Sequence, residues 1–135
     1  MTDVNLQRRA LLATGAAAAL LLPTPPASAK DGALQSVKSL FRHRRDAAAI
    51  GVDYLRRHPD EADGENLLSR VFGEDLASVR HAAARGDQST IDAKIASSIT
   101  ADLRAARIHT YEGWVMARAE ARLCAILSLT MRQVS

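Results

Sequence analysis

Hydrophobic residues recur at intervals of three and four along most of the chain after residue 30. This spacing places them on one face of an α-helix, where they can pack against other helices. It therefore predicts an all-α fold, a compact bundle of four to six short helices. The predicted apolar stripes are Leu34–Val37–Leu40–Phe41, Ala47–Ile50–Tyr54–Leu55, Leu67–Leu68–Val71–Phe72, Leu76–Val79–Ala83, and Ile91–Ile95–Ile99–Leu103–Ala106. The first two stripes fit either one long helix or two.

Residues typical of helix ends separate these stripes. Pro59 follows two arginines and is expected to end the preceding helix. Asp60 with Asp63 resembles a capping box and is predicted to open the next helix. Gly86 is expected to close a helix in a left-handed conformation, and Ser89 to begin the following one.

The segment RIHTYEGWVM, residues 107–116, interrupts the helical pattern. Tyr111 and Trp114 favour extended backbone, and Gly113 disfavours a helix. Because a single strand cannot form a sheet, we expect one extended, ordered loop or a very short strand here. The last helix is predicted to follow, over residues 117–131.

The beginning of the chain has the layout of a secretory signal. Arg8 and Arg9 precede an apolar run, residues 10–22, which is shorter than the roughly 20 residues that span a bilayer. A small-residue cleavage motif, Ala27-Ser28-Ala29, follows. Three prolines just before it are expected to keep the chain extended for a peptidase. We therefore divide the chain into a cleavable signal, residues 1–29, and one domain, residues 30–135.

The adjacent arginines indicate which export route the signal uses. Arg8 and Arg9, followed after one residue by Leu11 and Leu12, resemble the twin-arginine (Tat) signal. Two positions depart from that pattern, since Gln7 stands where Ser or Thr is usual and Ala13 where Lys is frequent. The resemblance implies recognition by the Tat translocase and signal peptidase, a periplasmic location, and no membrane span after cleavage. An ordinary Sec signal and a retained N-terminal anchor are the alternatives.

Charge and cysteine content narrow the classes of function that the sequence allows. The formal net charge is +3, with both signs interspersed, which is not typical of a nucleic-acid-binding protein. The basic cluster at residues 42–45 is interpreted as an exposed helix face, with an anion or lipid-headgroup site as the alternative. Cys124 is the only cysteine, so no internal disulfide is possible. Its neighbours predict a core position, against a reactive thiol or an intermolecular disulfide.

Motifs for metals, cofactors and catalysis are not recognisable in the sequence. The four histidines are scattered, and no phosphate-binding loop or haem-attachment motif occurs. The acidic run at residues 60–65 lacks the spacing of a calcium loop and is interpreted as a helix N-terminus. We therefore expect no cofactor, no metal and no catalytic residue, and the protein is not expected to be an enzyme.

Residues 110–124 form the most unusual stretch, TYEGWVMARAEARLC. Trp114 is interpreted as a large core anchor. In the alternative, Tyr111, Glu112, Trp114 and Glu120 form a partner-docking patch, because Trp and Tyr are enriched at interface hot spots. Glu120 is also expected to cap the last helix near Ala117, and a catalytic role for Glu112 or Glu120 is a further alternative.

Two resemblances bear on function. The Gly-Trp pair before a terminal helix with Glu-Ala-Arg-Leu-Cys is similar to a stretch in small Tat-exported bacterial proteins, which brings no biochemical assignment with it. The overall organisation resembles the Tat-signal-bearing small subunits of membrane-bound flavin sugar dehydrogenases. This resemblance implies an exported accessory subunit that binds, and helps to export, a larger partner such as an oxidoreductase. A stand-alone periplasmic binding or stress-related protein is the alternative, and an enzyme with an unrecognised site is a third.

Overall fold

The described part of the chain is mainly helical, as predicted. The computed structural model describes the backbone of residues 25–134 and the side chains of residues 32–132. The helices are α1 (Pro25–Lys38), α2 (Arg44–Arg57), α3 (Gly64–Phe72), α4 (Leu76–Arg85), α5 (Gln88–Arg104) and α6 (Arg118–Val134). Short 3-10 turns cover Pro59–Glu61 and Gly73–Asp75, and strands β1 (Ile108–Tyr111) and β2 (Trp114–Ala117) precede α6.

The first two apolar stripes belong to separate helices, since residues 39–43 break the helix between α1 and α2. At its other end, α1 begins at Pro25, so the backbone of Ala27 and Ala29 is helical. The prolines before Ala27 predict extended backbone there, and that prediction is wrong. Proline is compatible with the first turn of a helix, because the amide it lacks would have no partner inside the helix.

Two helices are capped by aspartates that lie within three residues of the predicted starts, Asp60 and Ser89. Asp63 itself caps α3, its side chain accepting a hydrogen bond from the Asn66 amide at 3.0 Å. Asp87, not Ser89, caps α5 and accepts from the Thr90 amide at 3.2 Å. Hydrogen bonds from the hydroxyls of Thr90 and Ser89 lower the pKa of Asp87 to about 2. Gly86 ends α4 in the left-handed conformation, as predicted.

Helix α6 is the centre of the bundle. Between Ala119 and Thr130 most of its side chains are buried, on all sides of the helix. A helix that is buried on all sides must be surrounded by other elements, and α6 contacts α1, α2, α3 and α5. The main core comprises Ala33, Val37, Tyr54, Leu55, Leu67, Leu68, Val71, Phe72, Leu76, Val79, Ala82, Ile91, Ile95, Ala121, Leu123, Ala125 and Ile126.

Residues 108–117 form a β-hairpin rather than the expected loop or single strand. The strands pair antiparallel from Ile108 opposite Ala117 to Tyr111 opposite Trp114. Glu112 and Gly113 make the two-residue turn, with φ of 47° and 85°. Positive φ at both central residues is the type I′ pattern, whose twist matches that of the strands it joins.

Candidate functional site

The hairpin presents large hydrophobic side chains to solvent. Trp114 is 74% exposed and Val115 is 62% exposed. The interpretation of Trp114 as a core anchor is therefore wrong. Its position follows from the hairpin, which holds the residue beside a two-residue turn at the outer end of β2.

The hairpin is tied to the helices at three places. Arg57 donates a hydrogen bond to the Thr110 carbonyl oxygen at 3.3 Å, which links α2 to β1. Asp102 at the end of α5 accepts one from the Ala119 amide at 2.6 Å and one from Arg107 Nε at 2.8 Å. The Arg57 bond links β1 to α2, and the Asp102 bonds link the residues that flank the hairpin, Arg107 and Ala119, to the end of α5.

Trp114 borders an open apolar groove of about 900 Å³. Helices α2 and α5 flank the groove, α6 forms its floor and the hairpin closes one end. The segment after α1 adds Leu40 and Phe41. Its apolar lining is Leu40, Phe41, Ala49, Ile50, Ile95, Ala96, Ile99, Trp114, Val115, Met116 and Leu123.

The polar side chains of the groove are acidic. Asp46, Asp92, Glu112 and Glu120 line it, and no lysine, arginine or histidine does. Among the described residues, none of these four carboxylates lies within ion-pair distance of a basic side chain. The groove therefore combines an apolar surface with four carboxylates that form no ion pair among the described residues.

All four residues of the predicted docking patch contribute to this groove. Tyr111, Glu112 and Trp114 come from the hairpin, and Glu120 from the first turn of α6. Glu120 Oε1 accepts a hydrogen bond from the Ala117 amide at 3.0 Å, which confirms the predicted capping role. Glu120 can cap the helix and line the groove at the same time, because only one of its two carboxylate oxygens accepts the Ala117 bond.

Cys124 lies in the floor of the groove but is buried, with 6% of its surface exposed. Burial raises the pKa of its thiol to about 12, and the nearby Glu120 carboxylate acts in the same direction. The predicted core position is confirmed. A thiol that stays protonated is a poor nucleophile, so the reactive-thiol alternative has no support.

A buried polar cluster lies outside the predicted site. Glu61 Oε1 accepts hydrogen bonds from Arg122 Nε and the Tyr54 hydroxyl, both at 2.9 Å. Burial, with the Glu61 carboxylate adding to it, raises the pKa of Tyr54 to about 12. Burial alone would raise the pKa of Glu61, but the hydrogen bonds from Arg122 and Tyr54 outweigh it and lower that pKa. The cluster joins α2, the first 3-10 turn and α6, and we assign it a structural role.

Two histidines complete this cluster. The His58 ring stacks on Tyr54 at 4.4 Å, and the His109 ring meets Tyr54 edge-on at 5.2 Å. His109 Nε2 lies 3.3 Å from Asp53 Oδ2. Burial lowers the pKa of His109, and the positive charge of Arg57 adds to this effect against the opposing influence of Asp53. Sequence reasoning missed the cluster because its members have no common motif or spacing.

The export-signal residues Arg8, Arg9, Leu11 and Leu12 lie outside the described residues. Within residues 25–134, no helix is long and apolar enough to cross a membrane. In the same part of the chain, no group of three or more His, Cys, Asp or Glu side chains is placed to hold a metal ion.

A scan of protein-family models, a search of curated proteins and a search of solved structures each gave no match for this chain.

Proposed function

We propose that this protein is an exported accessory subunit that binds a larger protein partner through the groove and the hairpin. The observation that carries the proposal is the exposure of Trp114, 74%, on an anchored hairpin beside an apolar groove. Tryptophan and tyrosine are enriched among the residues that dominate binding energy at interfaces. Large contiguous apolar surfaces on soluble proteins mark binding sites for proteins, ligands or membranes.

The exposed apolar side chains of the hairpin could result from binding or from poor local packing. The hydrogen bonds that hold the hairpin support the first explanation. Hydrogen bonds from Arg57 and to Asp102 hold the strands against α2 and α5. A surface that is already ordered loses less conformational entropy when a partner binds. The exposed apolar side chains are therefore placed where they can contribute to affinity.

Export is the second part of the proposal. The Tat route transports folded proteins, so a subunit carrying Arg8 and Arg9 can take a bound partner across the membrane with it. Its place of action is then the periplasm. An oxidoreductase as the partner rests on the organisational resemblance to the small subunits of flavin dehydrogenases.

A stand-alone periplasmic binding protein is the second candidate. The groove volume of about 900 Å³ lies within the range of small-molecule sites, and its mainly apolar lining with a few polar groups is also typical of them. The groove is open, however, and the large apolar side chains of Trp114 and Val115 at its border are mostly exposed to solvent. This feature favours a protein partner over an enclosed small ligand.

Site-specific photo-crosslinking in living cells tests the proposal. A benzophenone amino acid at position 114 is expected to give one discrete adduct, whose protein is identified by mass spectrometry. The matched control places the same amino acid at position 81, where His81 is exposed on α4, a helix that does not line the groove. Equal adduct patterns from both positions, or no protein adduct at position 114, would contradict a docking role.

A further inference from the structure

We propose that the occupant of the groove is a basic amphipathic helix of the partner protein. This inference rests on the proposed function and names the chemistry of the segment that binds. It is carried by the shape of the groove together with the charge of its lining.

The groove is lined by two helices, α2 and α5, that both contact α6. On α5 the lining residues Asp92, Ile95 and Ile99 recur at helical spacing. They span eight residues, whose seven helical rises cover about 10 Å of that helix axis. Ile50 of α2 and Leu123 of α6 also line the groove. A gap flanked by two helices above a third is the setting in which an amphipathic helix inserts side chains at every third and fourth position.

The negative charge of the groove lining favours a positively charged occupant. Asp46, Asp92, Glu112 and Glu120 come from four different elements and meet only at this groove. Outside the groove, Asp60, Asp63 and Glu74 also lack an ion pair, whereas the other six acidic side chains of residues 32–132 pair with basic side chains. These six are Asp53, Glu61, Glu65, Asp75, Asp87 and Asp102. The groove carboxylates have no such neighbour, so lysines or arginines beside an apolar helix face would find complementary charge there.

The same charge disfavours a second copy of this chain as the occupant. A symmetric dimer through the groove would bring the same surface of both subunits together. The carboxylates of Asp46, Asp92, Glu112 and Glu120 would then face an identical set. Like charges placed opposite each other across an interface suppress association.

The direct test uses the full chain and two model peptides. One peptide of about 18 residues carries leucines on one helix face and lysines on the other, and its matched control has glutamate in place of lysine. Trp114 is the only tryptophan of the protein, so its emission reports on the groove. We expect a saturable blue shift with the lysine peptide only, and weaker binding as the salt concentration rises.

Paired variants show whether the groove carboxylates are responsible. Asp46→Asn with Asp92→Asn is expected to weaken binding of the lysine peptide about tenfold. The matched control, Asp60→Asn with Glu74→Gln, removes two exposed charges outside the groove and is expected to leave binding within about twofold. Circular dichroism confirms that both variants remain folded.

Several results would overturn the inference. They are equal binding of the glutamate peptide, equal loss in both paired variants, and self-association of the full chain that is abolished by Trp114→Ala. Occupation of the groove by the chain's own residues 10–22 would also overturn the inference. It would appear as a Trp114 emission that shifts to the red when Leu11 and Leu12 are replaced by aspartate.

Crosslinking separates this inference from the proposed function. A discrete adduct at position 114 without preference for the lysine peptide would overturn the helix chemistry and leave the docking role standing. Preference for the lysine peptide without any adduct in cells would instead contradict the proposed function.

Discussion

Gly51 of α2 packs directly against the backbone carbonyl of Cys124 in α6. A Cβ atom at position 51 would overlap the carbonyl oxygen and carbon of Cys124. The two helices therefore approach each other as closely as their backbones allow, and this contact fixes one wall of the groove relative to its floor.

Replacing Gly51 by alanine is expected to destabilise the fold by about 3 kcal/mol, because the backbone of a central helix cannot move away cheaply. Urea unfolding followed by circular dichroism measures the change. The matched control is Gly32→Ala in α1, whose Cβ would meet the Ala83 Cβ at an ordinary 3.7 Å. That variant is expected to gain about 0.5–1 kcal/mol, since alanine is the better helix former. Similar losses in both variants would contradict the close approach.

The buried pair Glu61–Arg122 predicts strong energetic coupling. Either Glu61→Leu or Arg122→Met leaves an uncompensated buried charge and is expected to cost about 3–5 kcal/mol. The double variant removes both charges and is expected to be more stable than either single variant. A double-mutant cycle by chemical denaturation measures the coupling, and additive losses would show that the two side chains act independently.

His109 predicts a pH dependence of stability. Burial lowers its pKa from the usual 6.5, so the folded state holds the ring neutral where the unfolded state is protonated. The stability contribution is complete above pH 6.5 and is lost as the pH falls from there towards the folded-state pKa. Unfolding free energies measured between about pH 5 and 8 should show a slope that His109→Gln removes and exposed His81→Gln retains. An unchanged slope in His109→Gln would assign the effect to other groups.

Trp114→Ala is expected to leave the fold intact, with a loss below about 1 kcal/mol, because an exposed hairpin residue contributes mainly through its cross-strand neighbour. Ile126→Ala, in the buried centre of α6, is expected to cost about 2–5 kcal/mol. Thermal unfolding followed by circular dichroism compares the two. A collapse of helical content in Trp114→Ala would show that the side chain supports the core.

Export is expected to depend on the arginine pair. Arg8→Lys with Arg9→Lys should leave the precursor in the cytoplasm, because the Tat signal is recognised through adjacent arginines. Cell fractionation and N-terminal sequencing measure the outcome, with Lys30 as the expected first residue of the exported protein. Arg44→Lys with Arg45→Lys, an adjacent pair on the exposed start of α2, is the control. Continued export of the Arg8 and Arg9 variant would favour the Sec route.

The helices were predictable because their signal is local. Apolar spacing located the core faces, and Gly86 marked a helix end through its own conformation. Trp114 was assigned to the core from its size alone, whereas the hairpin turns it outward. The sequence does carry a signal for the hairpin, the Glu112-Gly113 dipeptide between two short runs that favour strands. The signal is weak, because Asn-Gly is the dipeptide that such turns favour.

The site could be predicted only in part, because most of it depends on residues that are distant in sequence. The cap of Ala117 by Glu120 lies within one helical turn and was predicted from the sequence. The bond from Ala119 to Asp102 joins residues 17 apart, and the Arg122–Glu61 bond joins residues 61 apart. No spacing rule connects such residues, and a groove between helices exists only once the bundle is assembled.

The turn of the hairpin uses an unfavourable residue. Glu112 has a φ of 47°, a conformation that glycine, asparagine and aspartate adopt more readily. Asparagine at this position would retain the turn with less backbone strain. The natural sequence thus forgoes about 1 kcal/mol of folding stability at residue 112 and keeps a carboxylate at the groove. A screen for thermostability alone would accept asparagine or glycine here as readily as aspartate, so only a screen that also selects for binding would keep the negative charge beside Trp114.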